Sequence, residues 1–349
     1  MKENSVREIV CSYDNLYKAM LKCKKGVMWK DSTAGFVKNG LVNCFKLKDD
    51  LDSERYKIGN YSVFTITEPK VRRIVSTRIR DRVFQRSLCD NYLAEALSRS
   101  FIYDNCACQV GKGTDFARNR LKCHMQKHWR KHGINGYVLK CDIKNYFGST
   151  AHIVAENAVR KRARDEWAAS ETARIINSFN QGDNPDVGMG LGSQVTQLIE
   201  LAVLDDMDHF IKEKLHIKHY VRYMDDFILI HDDKEYLKFC LSQIEMEIDS
   251  LGLMMNKKKT QIFPIKQPVH FLGFSFRLTA SGKVVMKLLP QKVVRERRKL
   301  KKLVELARQG VMTEKQVDEC FGSWVAHASK GDCYKLIQQM KAFYYDLWR

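Results

Sequence analysis

The chain has 349 residues, with 60 Lys and Arg against 41 Asp and Glu, a formal net charge of +19 that points to a polyanionic partner. That length holds two or three packed subregions, and no apolar run or charged-then-apolar N-terminus suggests a membrane span or a secretion signal. The eleven cysteines form no Cys-x-x-Cys pair and no zinc framework, so they read as reduced thiols in a cytosol.

The first informative segment is Glu68-Pro-Lys-Val-Arg-Arg-Ile-Val75, followed by Arg80-Asp-Arg82, a basic strand that by itself reads as solvated. Gly111-Lys-Gly-Thr114 lacks the full spacing of a phosphate loop and reads as a turn. His124, His128 and His132 fall at i, i+4 and i+8, a metal-ligand spacing on a helix. With no carboxylate-histidine pattern beside them and a basic run from Lys122 to Lys131, contact with a nucleic-acid backbone is the preferred reading. Tyr137-Val-Leu-Lys-Cys-Asp-Ile-Lys-Asn-Tyr-Phe147 is a strand-like run that ends in an acid and then aromatics. Gly190-Leu-Gly-Ser-Gln-Val-Thr-Gln197 opens a helix, because Val195, Leu198, Ile199, Ala202, Val203 and Met207 recur at helical spacing. Asp205, Asp206 and Asp208 beyond it read as charges on the helix surface.

The richest segment is His219-Tyr-Val-Arg-Tyr-Met-Asp-Asp-Phe-Ile-Leu-Ile230, two short β-forming runs around an acidic doublet. It predicts a hairpin with Asp225 and Asp226 at its turn. Asp is a common turn residue, so a solvated tip is the plain alternative. Apolar strands on both sides of an acidic doublet cost stability unless a cation or solvent compensates the carboxylates. Two hard cations roughly 4 Å apart need carboxylates from more than one strand, which makes Asp142 the natural partner of the doublet. Farther on, Gly252-Leu-Met-Met-Asn-Lys-Lys-Lys-Thr-Gln-Ile262 and Phe271-Leu-Gly-Phe-Ser-Phe276 precede a change of character after Pro290. From Lys292 to Arg308, Val293, Leu300, Leu303, Val304 and Ala307 alternate with a dense basic face, as in a helix lying along a duplex. Thr313-x-x-Gln316 then offers a capping box for another helix.

The order of these motifs resembles that of reverse transcriptases along nearly the whole chain, with Tyr223-Met-Asp-Asp226 matching the palm motif. The resemblance implies an α+β right-hand polymerase: N-terminal segment and fingers over 1–136, a palm of antiparallel sheet backed by helices over 137–284 with a fingers insertion at about 150–190, and a helical thumb over 285–349. It implies two Mg²⁺ ions, with Mn²⁺ as an alternative, held by Asp142, Ile143, Asp225 and Asp226. It also implies triphosphate contacts from Arg72 first and Lys70 second, and a lysine beside the leaving pyrophosphate at Lys259. Phe147 takes the position of the ring that clashes with a ribose 2′-hydroxyl, while Tyr146 reads as core. Leu272, Gly273 and Phe274 take the position of the primer grip.

Most of the family has Gln before the glycine of the helix entry, whereas this chain has Leu191, Gly192 and then Thr196-Gln197. Gly192 would let the backbone approach a templating base pair. A Leu-Gly-x-x-x-Thr-Gln pattern resembles the variant of diversity-generating retroelement enzymes, which implies unfaithful copying of adenine; the alternative is a defence-associated reverse transcriptase that makes cDNA from a non-coding RNA against phage. The implied partners are an RNA template, a primer duplex and dNTPs. Too few residues follow the primer grip for a ribonuclease H or endonuclease, so a dedicated structured RNA and a small basic accessory protein are expected as well. Two rivals make distinct expectations. An RNA-dependent RNA polymerase would prefer rNTPs, against which Phe147 and Met224 argue, and a purely structural RNA-binding protein would extend no primer.

Overall fold

A computed structural model describes residues 5–67, 71–179, 184–190 and 192–349. The chain opens with four helices, α1 (Val6–Cys11), α2 (Tyr13–Cys23), α3 (Asp31–Lys38) and α4 (Gly40–Asp52). A two-stranded antiparallel ribbon follows, β1 (Ser62–Ile66) and β2 (Arg72–Ser76). Helix α5 (Ile79–Leu88) runs through a π-turn at Cys89–Leu93 into α6 (Ala94–Ser98), and α7 (Thr114–His132) leads to the central sheet. Strand β3 (Tyr137–Asp142) is followed by the short α8 (Tyr146–Ser149), α9 (His152–Arg160), α10 (Glu166–Asn177), α11 (Gln194–Val203) and α12 (Asp205–His209), the last extended by a π-turn over Phe210–Lys214. Then come β4 (His219–Tyr223), β5 (Asp226–His231), α13 (Lys234–Ser250) and β6 (Gln261–Pro264). A second sheet of β7 (Val269–Phe271), β8 (Phe274–Leu278) and β9 (Val284–Leu288) precedes the closing helices α14 (Pro290–Arg308), α15 (Glu314–Ala328) and α16 (Tyr334–Asp346).

The central sheet has the order β4-β5-β3-β6 and is antiparallel at each pairing. Its strands bury both faces. Leu139, Cys141, Tyr220, Phe227 and Leu229 point into a core shared with the N-terminal helices and α9–α11, whereas Val138, Val221, Ile228 and Ile230 point into a second core shared with α7, the β7-β8-β9 sheet and the C-terminal helices. The period-2 alternation of strand side chains thus splits apolar runs such as Phe227-Ile-Leu-Ile230 between two cores. A one-residue slip would exchange the two sets, so burial on both faces holds the register firmly.

Of the C-terminal helices, α14 starts at Pro290, two residues before the predicted stretch, and α15 forms with its predicted cap. Pro290 occupies the first turn of α14, where its missing N–H costs nothing. Thr313 and Gln316 close the capping box of α15, with Gln316 N donating to Thr313 Oγ1 at 3.3 Å and Thr313 N donating to Gln316 Oε1 at 2.8 Å. Among the described residues, no helix is long and apolar enough to cross a membrane.

Two sequence expectations are corrected by packing. Asp205 and Asp208 are buried, not on the helix surface: Asp205 pairs with Arg162 at 2.9 Å, and Asp208 meets Arg222 in an ion pair with no solvent exposure on either side chain. Only Asp206 stays largely exposed. His124 and His128 are likewise interior, and His124 Nε2 lies 3.0 Å from Asp104 Oδ1, the carboxylate partner that the local sequence did not reveal. His124 also stands beside His219, Nδ1 to Nδ1 at 3.4 Å, and burial pushes His219 down to about 4, with the charges of His124 and His128 adding to the fall. These rings fasten α7 to β4 and do not face a nucleic-acid backbone.

Candidate active site

The antiparallel pairing of β3 with β5 runs from Tyr137 opposite His231 to Asp142 opposite Asp226. The last residue of one strand therefore faces the first residue of the other, although they lie far apart in sequence. Tyr223 pairs with Asp226 across β4 and β5, leaving Met224 and Asp225 as the two loop residues. Two-residue hairpin loops require positive φ to match strand twist, and Met224 adopts φ +56°. Arg222 secures that conformation from within. Its Nη1 donates to the Met224 carbonyl at 3.1 Å, its Nη2 to Leu201 O at 3.2 Å, and its Nε to Asp208 Oδ1 at 2.7 Å. Sequence reading missed Arg222, because a basic residue between two aromatics in a strand carries no sign of which partner it will meet.

The chain after β3 runs against residues 254–256, with Asn256 N donating to Asp142 O at 2.7 Å and Lys144 N to Met254 O at 2.8 Å. This brings Lys259 and Asn256 onto the Asp142 carboxylate. Lys259 Nζ donates to Oδ1 at 2.8 Å and to Oδ2 at 2.6 Å, and Asn256 Nδ2 donates to Oδ2 at 3.0 Å. Across the pair, Asp226 Oδ1 is buried and accepts no hydrogen bond, with Lys140 Nζ 3.4 Å away. Burial pushes the Asp226 carboxyl up to about 6 against the pull of Lys140, and the charges of Asp225 and Asp142 add to the rise. Three anions thus crowd the ends of β3 and β5.

An all-carboxylate donor set suits a hard divalent cation, and a buried carboxylate oxygen without a donor is the kind of group that such a cation satisfies. The residues present fit a divalent ion on that ground. Among the described residues no three His, Cys, Asp or Glu side chains are already gathered into a ligand cage, since Asp142 is turned into Lys259.

Asp225 borders a cleft of about 750 Å³ lined also by Arg73, Val75, Cys108, Phe147, Gln197 and Met224. Phe147 stands at its wall, edge-on to Tyr146 with ring centroids 5.9 Å apart. Tyr146 itself is buried, its hydroxyl donating to Glu200 O at 2.6 Å. Gln197 reaches the cleft from α11 and accepts from Cys108 Sγ at 3.2 Å. Gly192 has φ +114°, which favours glycine, and a Cβ there would meet nothing within 4 Å. Thr196 Oγ1 donates to Gly190 O at 2.8 Å and so braces the glycine-rich entry from the first turn of α11.

Among the described residues, the basic side chain that lines the cleft is Arg73, in alternation with Val71 and Val75. That alternation was the signal that could have found it. Arg72 belongs to β2 by its backbone, its side chain lies outside the described residues, and so do Lys70 and Leu191. Residues 272–274 form the tight turn between β7 and β8, with Leu272 at φ +44° and Gly273 at φ +86°. Arg118 Nη2 donates to Leu272 O at 3.0 Å, and a Cβ on Gly273 would meet Lys292 Nζ at 2.0 Å. Phe274 is fully buried under the Arg118 guanidinium, 4.7 Å from the ring centroid. Of this trio, Leu272 and Gly273 make the turn and Phe274 anchors it.

Residues 67–276 match the family described as "Reverse transcriptase (RNA-dependent DNA polymerase)". Among curated proteins nothing matches the chain. Among solved structures, it is similar to the telomerase of Candida albicans in complex with a TWJ fragment of telomeric RNA, with a TM-score of 0.54 and 13% identity over 85% of this chain and 56% of that one. A weaker likeness is to the apo telomerase of Candida tropicalis, with a TM-score of 0.48 and 14% identity over 65% and 47% of the two chains. The chain thus spans little more than half the length of the first of these, and the likeness is one of fold, with the right-hand polymerase architecture. With the family model covering well over half of its length, this chain belongs to the reverse transcriptases, the RNA-directed DNA polymerases.

Proposed function

We propose that this reverse transcriptase copies a dedicated structured RNA into cDNA within a diversity-generating retroelement, in the bacterial cytosol, with a small basic protein as accessory. The observation that carries the polymerase chemistry is the register that sets Asp142 against Asp226 with Asp225 at the adjoining tip. Asp142, Asp225 and Asp226, with the Ile143 carbonyl, would hold Mg²⁺ or Mn²⁺. Bound there, divalent ions lower the pKa of the primer 3′-hydroxyl and offset the charge of the triphosphate.

The chain's own residues do the rest. The 3′-hydroxyl gives its proton to solvent and its oxygen forms the bond to the α-phosphorus as the bond to pyrophosphate breaks, and Lys259 would give a proton to that leaving group. To do so its ammonium must swing off Asp142, which it now holds through both oxygens. Arg73, together with Arg72 and Lys70, supplies cations for the triphosphate oxygens, for which guanidinium forks are suited. Phe147 at the cleft wall excludes a 2′-hydroxyl. Leu272 and Gly273 hold the primer end, Phe274 supports them from the core, and the basic face of α14 tracks the duplex as a thumb over 285–349 behind a palm at 137–284 and fingers at 1–136.

Asp225→Ala is expected to abolish dNTP incorporation while leaving primer-template binding within a few-fold of wild type; retained synthesis removes Asp225 from the chemistry. The retroelement reading rests on Leu191 before Gly192 and on Thr196-Gln197 after it, with an apolar side chain in place of the glutamine that could restrain the template base. Sequencing cDNA made on a defined RNA tests it. Errors concentrated opposite template adenines support it, whereas faithful or template-jumping products assign the enzyme to phage defence.

A further inference from the structure

Helix α11 carries one acid, Glu200, into the interior beneath the turn that presents Phe147, and Glu200 has no solvent exposure. Its Oε2 lies 3.0 Å from Thr150 Oγ1, and the same hydroxyl lies 3.0 Å from the Tyr146 carbonyl. Tyr146 closes the loop by donating its own hydroxyl to the Glu200 backbone carbonyl. Glu200 Oε1 is buried and has no hydrogen-bond partner.

A threonine hydroxyl has one proton to donate, and here it faces two acceptors. Given to the Tyr146 carbonyl, it adds a second bond to the one that Thr150 N already makes there at 3.1 Å, and the contact with Oε2 is then a hydrogen bond only when Glu200 is the donor. An ionised Glu200 would draw the Thr150 proton to Oε2 and away from that carbonyl, and would still leave Oε1 an anionic oxygen buried without a donor, a heavy cost that favours the neutral acid. Burial accordingly pushes this carboxyl up to about 8, against the lowering pull of Thr150 and Tyr146, with the Asp225 charge adding to the rise. The cation nearest in the chain of contacts, Arg222, donates to the neighbouring Leu201 carbonyl but is neutralised by Asp208. On α9, His152 gives its Nε2 to Gly188 O.

The turn has further ties: Thr150 N donates to Tyr146 O at 3.1 Å, Gly148 N to Asn145 O at 2.9 Å, Met189 N to Phe147 O at 2.6 Å and Gly188 N to Thr150 O at 2.9 Å. All are backbone bonds that no pH change touches, so the side-chain link through Thr150 is the part that Glu200 can loosen. Of the groups that hold the Tyr146–Thr150 turn, Glu200 is the acid whose charge state decides whether it donates.

We propose that Glu200 is a positioning residue for sugar discrimination: as a neutral acid donating to Thr150 it fixes the turn that presents Phe147, and its ionisation loosens the gate. This rests on the reading of Phe147 as the gate. The test is single-turnover incorporation of a dNTP and of its rNTP across pH 6.5 to 9.5, read as the ratio of their efficiencies. Acid-base chemistry common to both nucleotides cancels in that ratio, and so does a general loss of fold.

Wild type is expected to lose about tenfold in discrimination between pH 7 and pH 9.5, as for a contribution of about 1.4 kcal/mol. Glu200→Gln, whose amide donates at every pH, should keep the neutral-pH ratio throughout, and Glu200→Leu should show the lower ratio at all pH values. A Glu200→Gln ratio that falls with pH as wild type does overturns the proposal, and so does a folded Glu200→Gln chain that incorporates neither nucleotide. Phe147→Val supplies the separate control: if it leaves discrimination at the wild-type level, the gate reading itself fails, whatever Glu200 does.

Discussion

Two turns of this molecule, the acidic β4–β5 turn and the proposed grip turn of β7–β8, are each braced by an arginine that donates to a carbonyl at positive φ. In the β4–β5 turn Arg222 holds Met224 O, and in the β7–β8 turn Arg118 holds Leu272 O. The braces differ in what neutralises them. Arg222 and its partner Asp208 are both fully buried, and their pairing closes inside the core beside α11 and α12. Arg118 is nearly buried, but its partner Asp115 is about half exposed and is shared with Lys330 beyond α15. The turn that bears the acids is therefore locked within one body. The grip turn is tied across the junction with the C-terminal helices, through groups that water and salt reach.

The largest expected effect breaks the buried brace. Arg222→Met leaves Asp208 without its cation in the interior and should cost about 3–5 kcal/mol in urea unfolding. Adding Asp208→Asn removes the stranded charge while keeping an acceptor for the Tyr220 hydroxyl, and should recover more than half of that loss. A loss under about 1 kcal/mol for Arg222→Met alone would show that the two braces are alike.

The same interior predicts a pH signature that the grip turn lacks. Burial pushes Glu200 up to about 8 from its ordinary 4.5, so between those values the folded chain keeps a proton that the unfolded chain has released. Stability therefore falls as pH rises through that window, and the loss is complete above it. Glu200→Gln cannot contribute this slope. The stability of the variant relative to wild type should rise by on the order of 3 kcal/mol between pH 5 and pH 9, read from urea midpoints. A constant difference would mean that Glu200 ionises in the folded chain as freely as in the unfolded one.

How much of this was legible in the sequence follows from which periodicities were at work. The hairpin around Asp225 and the strand ending at Asp142 were readable because their apolar runs are short and bounded, and the α15 cap because Thr313 and Gln316 act locally. The ion pair of Arg222 with Asp208 was not, since both faces of the central sheet are buried and nothing in a strand's alternation marks a buried charge as paired. For the same reason Asp205 and Asp208 looked like surface charges, and Asp104 was invisible as the partner of His124. Arg73 is the opposite case: its alternation with Val71 and Val75 was in plain view and placed it with them at the cleft.

At the grip turn, Gly273→Ala should act mainly on function. A Cβ at φ +86° strains the backbone by roughly 1–2 kcal/mol and lands on the flexible end of Lys292, which can move aside. Unfolding should shift by no more than that amount, while affinity for a primer-template, measured by fluorescence anisotropy, drops about tenfold because Lys292 is displaced from the turn. Unchanged affinity would separate the turn from the primer.

The smallest effect is the most diagnostic of the exposed brace. Asp115→Asn removes the carboxylate that joins Arg118 to Lys330, yet Arg118 keeps its bond to Leu272 O and its place over the Phe274 ring. With Asp115 open to water, the pair should contribute less than about 1 kcal/mol at low salt, and the difference from wild type should shrink toward zero as ionic strength rises and the Debye length contracts. A salt-independent loss of about 3 kcal/mol would mean that this pair behaves as if buried. The grip turn would then be as rigidly held as the catalytic one, and its exposed tie to the C-terminal helices would no longer distinguish the two.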